Sequence, residues 1–266
     1  MLRYSVIALL FVIYTPQQEL SFHIKDQAGN NRITPTEKVI YYNLSKNIIP
    51  IRILQYGAQN NLVFINLHDD EKTSVEAAMK ILEQYGGTLI KLDNKGERNI
   101  SYRLGRYAYH IDPNRIFSES GIRETLEELG RTGDKAVSEA KLLGERILQL
   151  IPLETSCVIA LHNNTADLYS ARDYLPGQQR EKDSKKVSIN PSEDSDDFFL
   201  TTDNQLYRKL SEKGFNTILQ DNRNCKNDGS LSYYFGRVNL RYVNCETEHG
   251  KTEQYFKMMK ALISSL

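Results

Sequence analysis

Two short stretches limit what this chain can fold into. Leu62-Val63-Phe64-Ile65-Asn66-Leu67 and the run Thr155 to Leu161 are apolar or small at almost every position, not at alternate ones. A strand with one wet face alternates, whereas a strand covered on both faces need not. Each run therefore reads as an interior strand of a sheet with layers on either side. Helical spacing surrounds them. Val75, Ala78, Met79, Leu82 and Tyr85 share a face over residues 73–85, and Gly86-Gly87 closes that helix. Further helical patterns cover 119–129, 133–150, 203–213 and 251–264, with strands at Thr88 to Leu92, 216–220 and 239–245. Arg98 to Tyr102 and Tyr107 to Ile111 alternate about Gly105, which predicts a hairpin. Strands interleaved with helices call for an α/β fold: a three-layer α/β/α sandwich around a mostly parallel, mixed central sheet. In such sheets ligands bind beyond the carboxyl ends of the strands, so the residues leaving each apolar run come first.

The flanking segments are less regular. Residues 17–60 mix polar turns with short apolar runs, Val39 to Tyr42 and Ile48 to Leu54. Residues 176–197 are polar and charged, with Lys182 to Lys186 followed by Glu193 to Asp197, and read as a solvated loop or insertion. Met1-Leu2-Arg3 precedes an apolar run from Tyr4 to Tyr14, a pattern matching a secretory signal peptide. The run is too short for a comfortable span, which takes roughly 20 apolar residues. The expected division is a signal peptide over 1–16 and a single domain over 17–266, in a secreted or periplasmic protein. Lysine plus arginine and aspartate plus glutamate are 34 each, so bulk charge gives no drive toward nucleic acid. Of the three cysteines, Cys157 sits in an apolar run and reads as core, while Cys225 and Cys245 flank a loop and could pair in an oxidising compartment. None has CxxC spacing.

Chemistry gathers where the apolar runs end. The first is followed by His68-Asp69-Asp70-Glu71. Imidazole and carboxylate are zinc ligands, and His68 and Glu71 in a strand-exit loop can turn toward one ion. The competing reading is a helix cap, with Asp69 or Asp70 capping and Glu71 favoured by the helix dipole. The second run ends in His162-Asn163-Asn164, which completes a His2Glu set. Between them Asp112-Pro113-Asn114-Arg115-Ile116-Phe117 offers a guanidinium fork suited to a carboxylate, or simply a turn. The strand at 239–245 runs into Glu246, a carboxylate costly to bury unless paired or working; Glu248 and His249 are rivals in the same loop. His23 and His110 lie away from these strand ends and read as structural or exposed. GxGxxG, P-loop, HExxH and GxSxG sequences are all missing.

HxxE, then DxNRxF, then LHNN, then a late strand-end Glu resembles the zinc metallocarboxypeptidase superfamily, most of all its aspartoacylase and succinylglutamate desuccinylase branch. Pro113 stands where that branch has Leu in its DLNRxF segment. Four short segments within roughly 62–250 carry the resemblance. It implies one Zn2+ held by His68, Glu71 and His162. It implies that Glu246 takes a proton from metal-bound water and passes it to the leaving amine, and that Asn114 and Arg115 bind a substrate carboxylate. The superfamily adds an Arg that polarises the scissile carbonyl; Arg98, Arg103 and Arg106 are candidates, and Arg98 is preferred because the other two flank the hairpin tip. Many members also place a Tyr on a mobile loop, a role for Tyr233 or Tyr234 that competes with ordinary aromatic packing.

The expected function is thus zinc-dependent hydrolysis of an amide or peptide bond in a small carboxylate-bearing substrate: a peptide, a murein peptide or an acyl-amino acid. Murein peptides enter through the expected compartment alone. The alternative is a non-catalytic binding protein retaining the fold. Neither nucleic acid nor a stable membrane span is expected.

Overall fold

The computed structural model describes residues 23–25, 31–58 and 61–266. The apolar run Tyr4 to Tyr14, and with it the expected signal peptide, lies outside them. The elements follow in order as β1 (His23–Lys25), β2 (Asn31–Ile33), β3 (Pro35–Leu44), β4 (Asn47–Tyr56), β5 (Leu62–Asn66), α1 (Lys72–Tyr85), β6 (Gly87–Leu92), β7 (Ile100–Leu104) and β8 (Tyr107–Ile111). Then come α2 (Glu119–Glu128), α3 (Asp134–Leu148), β9 (Cys157–Asn164), β10 (Ser184–Ser188), β11 (Phe198–Thr201), α4 (Asn204–Glu212), β12 (Asn216–Gln220), α5 (Leu231–Val238), β13 (Tyr242–Glu248) and α6 (Thr252–Ile263).

Nine strands form one sheet in the order β10-β12-β11-β13-β9-β5-β6-β4-β3. Its centre, β13-β9-β5-β6, is parallel; β4 and β3 extend it by antiparallel pairing on one side, and on the other β11 lies antiparallel to β13, β12 parallel to β11, and β10 antiparallel to β12 at the edge. The two uniformly apolar runs are the middle pair, β5 beside β9. Their alternation sorts side chains into two cores. Val63, Ile65, Val158 and Ala160 pack with α2, α3 and α5, whereas Phe64, Cys157, Ile159 and Leu161 pack with α1, α4 and α6. A sheet dry on both faces is the three-layer sandwich that the runs demanded.

Three segments differ from expectation. The apolar runs in 35–56 join into one long hairpin, β3–β4, around a turn in which Ser45 has φ +57°. The stretch 176–197 is not only solvated loop. It contains β10, an antiparallel edge strand on β12, and it buries Asp196 and Asp197 just before the fully buried β11. Finally, Tyr233 and Tyr234 lie on α5, whose first turn is capped by Ser230 Oγ accepting from Tyr233 N. Cys225 and Cys245 are both free thiols, so the pairing considered from their spacing is not made. Among the described residues no helix is long and apolar enough to cross a membrane.

Candidate metal centre

β5 delivers His68 and, one turn later, Glu71 at the start of α1. Glu71 occupies the helix N-cap position, yet its carboxylate makes no capping hydrogen bond. The helix start is tied down by others: Ser74 Oγ donates to Glu71 O, and Ser74 N donates to Asn163 Oδ1. The Glu71 carboxylate is thereby left to point between two imidazoles. Its Oε1 lies 3.0 Å from His68 Nδ1 and its Oε2 lies 3.0 Å from His162 Nδ1. The two rings are 5.2 Å apart between centroids. All three side chains are buried, and their ligand atoms fall within 4.8 Å of one another.

The donor set fits zinc. Two imidazole nitrogens and a carboxylate, all buried and converging on one point, match the His2Glu ligand set of zinc sites. Ligand atoms roughly 2.1 Å from a tetrahedral ion stand roughly 3.4 Å apart, close to the spacing between protein donors here. The far nitrogen of His68, Nε2, is 2.7 Å from Asp112 Oδ1. A carboxylate behind a ligating imidazole fixes its tautomer and raises its basicity. Asp112 is itself held by Asn114 N, a contact that the Asp-Pro-Asn turn pattern does not reveal. Burial works against the imidazolium, but the Glu71 and Asp112 carboxylates outweigh it and push His68 up to about 9. Burial likewise opposes ionisation of Glu71 and Asp112, and the adjacent imidazoles pull both well below the usual carboxylate range.

Glu246 stands on β13 directly across from His162 on β9. It is almost fully buried, and among the described residues its one side-chain partner is Asn244 Nδ2 at 3.0 Å. Burial raises its proton affinity above the ordinary carboxylate range, against the pull of His162. The backs of both strands are pinned. Tyr255 on α6 donates to Cys245 O and accepts from His162 N, while Asn163 Nδ2 donates to Thr247 O.

These groups open onto a cavity of about 390 Å³ beyond the carboxyl ends of β5, β9 and β13. Arg98, Asn114 and Arg115 line it with His162, Glu71 and Glu246, so the strand-end residues singled out in the sequence meet at one place. Arg98 donates to Glu71 Oε1 at 2.7 Å, whereas Arg103 and Arg106 sit on the exposed hairpin. Arg115 is partly committed: one N–H donates to Asp228 Oδ2 at 2.8 Å. Asn114 Oδ1 accepts from Leu231 N. Both contacts come from the 228–231 segment, which lies on Arg115 because two glycines meet there. A Cβ on Gly229 would lie 2.4 Å from Arg115 O, and Gly229 has φ +74°.

Tyr233 is not brought in. That stretch contributes Ser230 and Ser232 to the wall, while the Tyr233 ring lies beneath Arg237 and Tyr234 packs on Phe117. The aromatic wall comes instead from Tyr169, Tyr174 and Tyr242, and with it Arg180, none of which carried a sequence signal. His249 reaches the rim, and His110 pairs with Ser101 on the exposed hairpin. Glu248 belongs to a second carboxylate group with Asp194 and Asp196, where Lys251 Nζ already lies 2.8 Å from Asp194 Oδ2 and from Glu248 Oε1.

No family's sequence model matches the chain, and no curated protein matches it. Solved structures do. Murein-tripeptide amidase MpaA from Escherichia coli O157 is 15% identical, with 80% of this chain and 86% of that one covered at a TM-score of 0.44. An aspartoacylase family protein from Mesorhizobium loti is 13% identical over 88% and 67%, with a TM-score of 0.45. A metallo-carboxypeptidase from Burkholderia cenocepacia is 10% identical over 87% and 63%, with a TM-score of 0.46.

Proposed function

We propose that this protein is a zinc-dependent hydrolase that cleaves an amide or peptide bond in a small carboxylate-bearing substrate. One observation carries the reading: a buried His68-Glu71-His162 cluster presents Glu71 and His162 to the same cavity as a desolvated glutamate, Glu246, one strand away from His162. A buried carboxylate with a single amide partner is expensive, and its position beside a metal site gives that expense a use.

His68 Nδ1, His162 Nδ1 and the Glu71 carboxylate would hold the ion, with Asp112 fixing the His68 ring. A zinc ion bound there would supply a water acidic enough to ionise near neutral pH and a Lewis acid for the carbonyl. Everything else is work for the chain. Glu246, its proton affinity raised by burial, accepts a proton at its carboxylate and returns it to the leaving nitrogen. Arg98 keeps donors beyond the one on Glu71 and directs positive charge at the carbonyl oxygen as negative charge develops there. Arg115, steadied by Asp228, turns its remaining N–H groups to a substrate carboxylate, so binding at a remote group becomes orientation at the scissile bond. A cavity of about 390 Å³ suits a substrate of a few residues at most.

The test is metal quantification joined to a peptide and acyl-amino-acid screen, on the unmodified protein and on Glu246→Gln. The expected result is about one zinc per chain in both, with hydrolysis only in the first. Zinc without turnover in the unmodified protein would make it a binding protein instead. Absence of stoichiometric zinc would end the reading.

A further inference from the structure

The sheet contains two blocks of opposite direction. β13, β9, β5 and β6 run one way and end at the metal centre. β11 is antiparallel to β13 and β12 is parallel to β11, so this pair ends at the opposite edge of the sheet. With α4 between them, β11 and β12 form a strand–helix–strand unit of their own, and ligands of such units bind beyond the carboxyl ends of the strands. A cavity of about 620 Å³ lies there, larger than the one at the metal centre. Thr202, which follows β11, and Gln220, the last residue of β12, both line it, and Asn204 opens α4 at its wall.

Its floor is knit together by side-chain amides. Gln220 is 4% exposed, and its Nε2 donates to Ser232 O and to Asn222 Oδ1. Asn222 Nδ2 donates in turn to Thr202 O, so both strand exits are tied to α5. Gly236 lets α5 come this close, since a Cβ there would lie 2.7 Å from Gln220 Nε2. With the amide nitrogen spent twice, Gln220 Oε1 accepts no hydrogen bond among the described residues. A buried acceptor at a cavity floor is costly unless an incoming donor uses it.

The rim is cationic. Lys185, Arg223 and Arg237 are exposed cavity-lining residues, and among the described residues none of them makes an ion pair. Arg237 rests by its face on the Tyr233 ring, which leaves its in-plane donors open. The one carboxylate in the lining is Asp221, which faces Lys185. Its oxygens already accept from Arg223 N, Asn224 N and Asn224 Nδ2. Asp203, the cap of α4, is likewise engaged by Leu206 N and Arg241, and Asp183 accepts from Lys226 N. Carboxamides both donate and accept, as hydroxyl groups require, and Asn204, Asn224 and Asn239 add three of them at the rim. No aromatic ring lines this space to stack a nucleobase.

We infer that this cavity is a binding site for a small sugar phosphate, with the phosphate among Lys185, Arg223 and Arg237 and the hydroxyl groups on the amides and Gln220 Oε1. A volume of about 620 Å³ accommodates a ligand of that size. No histidine is in the lining, so the site binds without reacting, and it does not depend on the hydrolase reading.

The experiment uses the full-length zinc-loaded protein at physiological salt. Calorimetry compares glucose-6-phosphate and ribose-5-phosphate with glucose and with inorganic phosphate, in the unmodified protein and in Arg223→Gln and Arg237→Gln. Removing one charge-assisted contact costs on the order of tenfold to a hundredfold in affinity. One of the esters should bind at one site per chain, at least about tenfold more tightly than inorganic phosphate, and glucose should bind more weakly still. Each variant should lose affinity for that ester in the stated range, with zinc content and melting temperature unchanged. Absence of binding by both esters overturns the inference. Inorganic phosphate binding as tightly as the esters does so too, because the rim would then be a basic patch that holds any anion. Ester affinity unchanged in both variants would place the ligand elsewhere, at the metal centre, and would equally overturn it.

Discussion

Replacing Glu246 by Gln should cost the protein its reaction and make it more stable. The carboxylate is about 5% exposed and has one side-chain partner, Asn244 Nδ2. Burial lifts its folded-state proton affinity above the ordinary value, so the fold favours the protonated form and its ionised form is paid for elsewhere. Gln keeps the shape, can accept the same hydrogen bond and carries no charge. Relief of an under-compensated buried carboxylate is worth about 1–3 kcal/mol. At about 2–4 °C per kcal/mol for chains of this size, the melting temperature should rise by roughly 2–12 °C. The sign with pH follows from linkage. With the folded pKa raised, the folded state holds more protons than the unfolded one between the two values, so the unmodified protein loses stability as pH rises through that window. Below the unfolded value of about 4.3 the two proteins should melt alike, and the gap should be full once the folded carboxylate has ionised. Thermal melts of both proteins from pH 4 to 8, with and without added zinc, read this directly. Added zinc should shrink the gap, because a nearby cation stabilises the carboxylate. Loss of a general base lowers turnover by about 10²–10⁴-fold. A Gln variant less stable than its parent at pH 7.5 would show the carboxylate to be well compensated, and the argument from its cost would fail.

Other outcomes follow from the same geometry. Asp112→Asn should retain the fold but weaken zinc binding about 10–100-fold, measured by competition with a chromogenic chelator, because His68 loses the carboxylate that fixes its ring. His68→Ala or His162→Ala should release zinc altogether in elemental analysis. Gly229→Ala should destabilise by roughly 1–3 kcal/mol in denaturant titration, since φ is +74° and the new Cβ would strike Arg115 O. It should also raise the KM of any substrate found, as Asp228 and Arg115 move apart. All three thiols should titrate with Ellman's reagent in denaturant. In the native protein Cys225, pushed up to about 11 by burial and the Asp183, Asp228 and Asp221 carboxylates, should alkylate slowly at pH 8, where about one molecule in a thousand carries the thiolate.

The sequence was most legible where two-sided burial left no room for alternation. β5 and β9 announced themselves as wholly apolar runs, and the residues leaving them, His68 and His162, could then be placed on one edge of one sheet. Glu246 was found by the same route, although β13 starts and ends about three residues later than its apolar pattern suggested. What stayed hidden depends on long-range contacts. β11 is four residues long and follows five residues rich in acid, so no periodicity marks it. Asp196 and Asp197 resemble surface charges in the sequence, but Asp196 Oδ2 accepts from Asp167 N, and Asp197 is bonded by Thr247 Oγ1. Arg180 looked like one more charge in a polar insertion, because what sets it apart is two tyrosines a few residues earlier in the chain that fold beneath it. Tyr233 failed for the opposite reason. Its neighbours Gly229 and Ser230 read as loop, but Ser230 caps a helix, and the helix turns that ring away from the cavity.

The strict two-residue period of β9 and β13 also explains how so polar a site coexists with a dry core. On one face Leu161 and Cys245 complete the layer under α1 and α6. On the other His162, Asn164, Asn244 and Glu246 face the cavity. Shifting either strand by a single residue would exchange the two sets, placing imidazole and carboxylate in the α1–α6 core. The cost of that exchange, several buried polar groups at once, is what holds the register. Tyr255 and Asn163 add to it by binding backbone groups of the neighbouring strand ends from behind. Some of the chemical groups on the front are therefore left under-compensated. Among the described residues Asn164 Oδ1 and Asn244 Oδ1 find no partner and the Glu246 carboxylate finds one, although Asn164 Nδ2 donates to Tyr169 O and Asp196 O. Substitutions at Asn244 and Glu246 should change ligand binding with small or favourable effects on stability, whereas Tyr255→Phe, which removes the hydroxyl joining Cys245 O to His162 N, should lower stability by about 1–2 kcal/mol and weaken zinc retention with it.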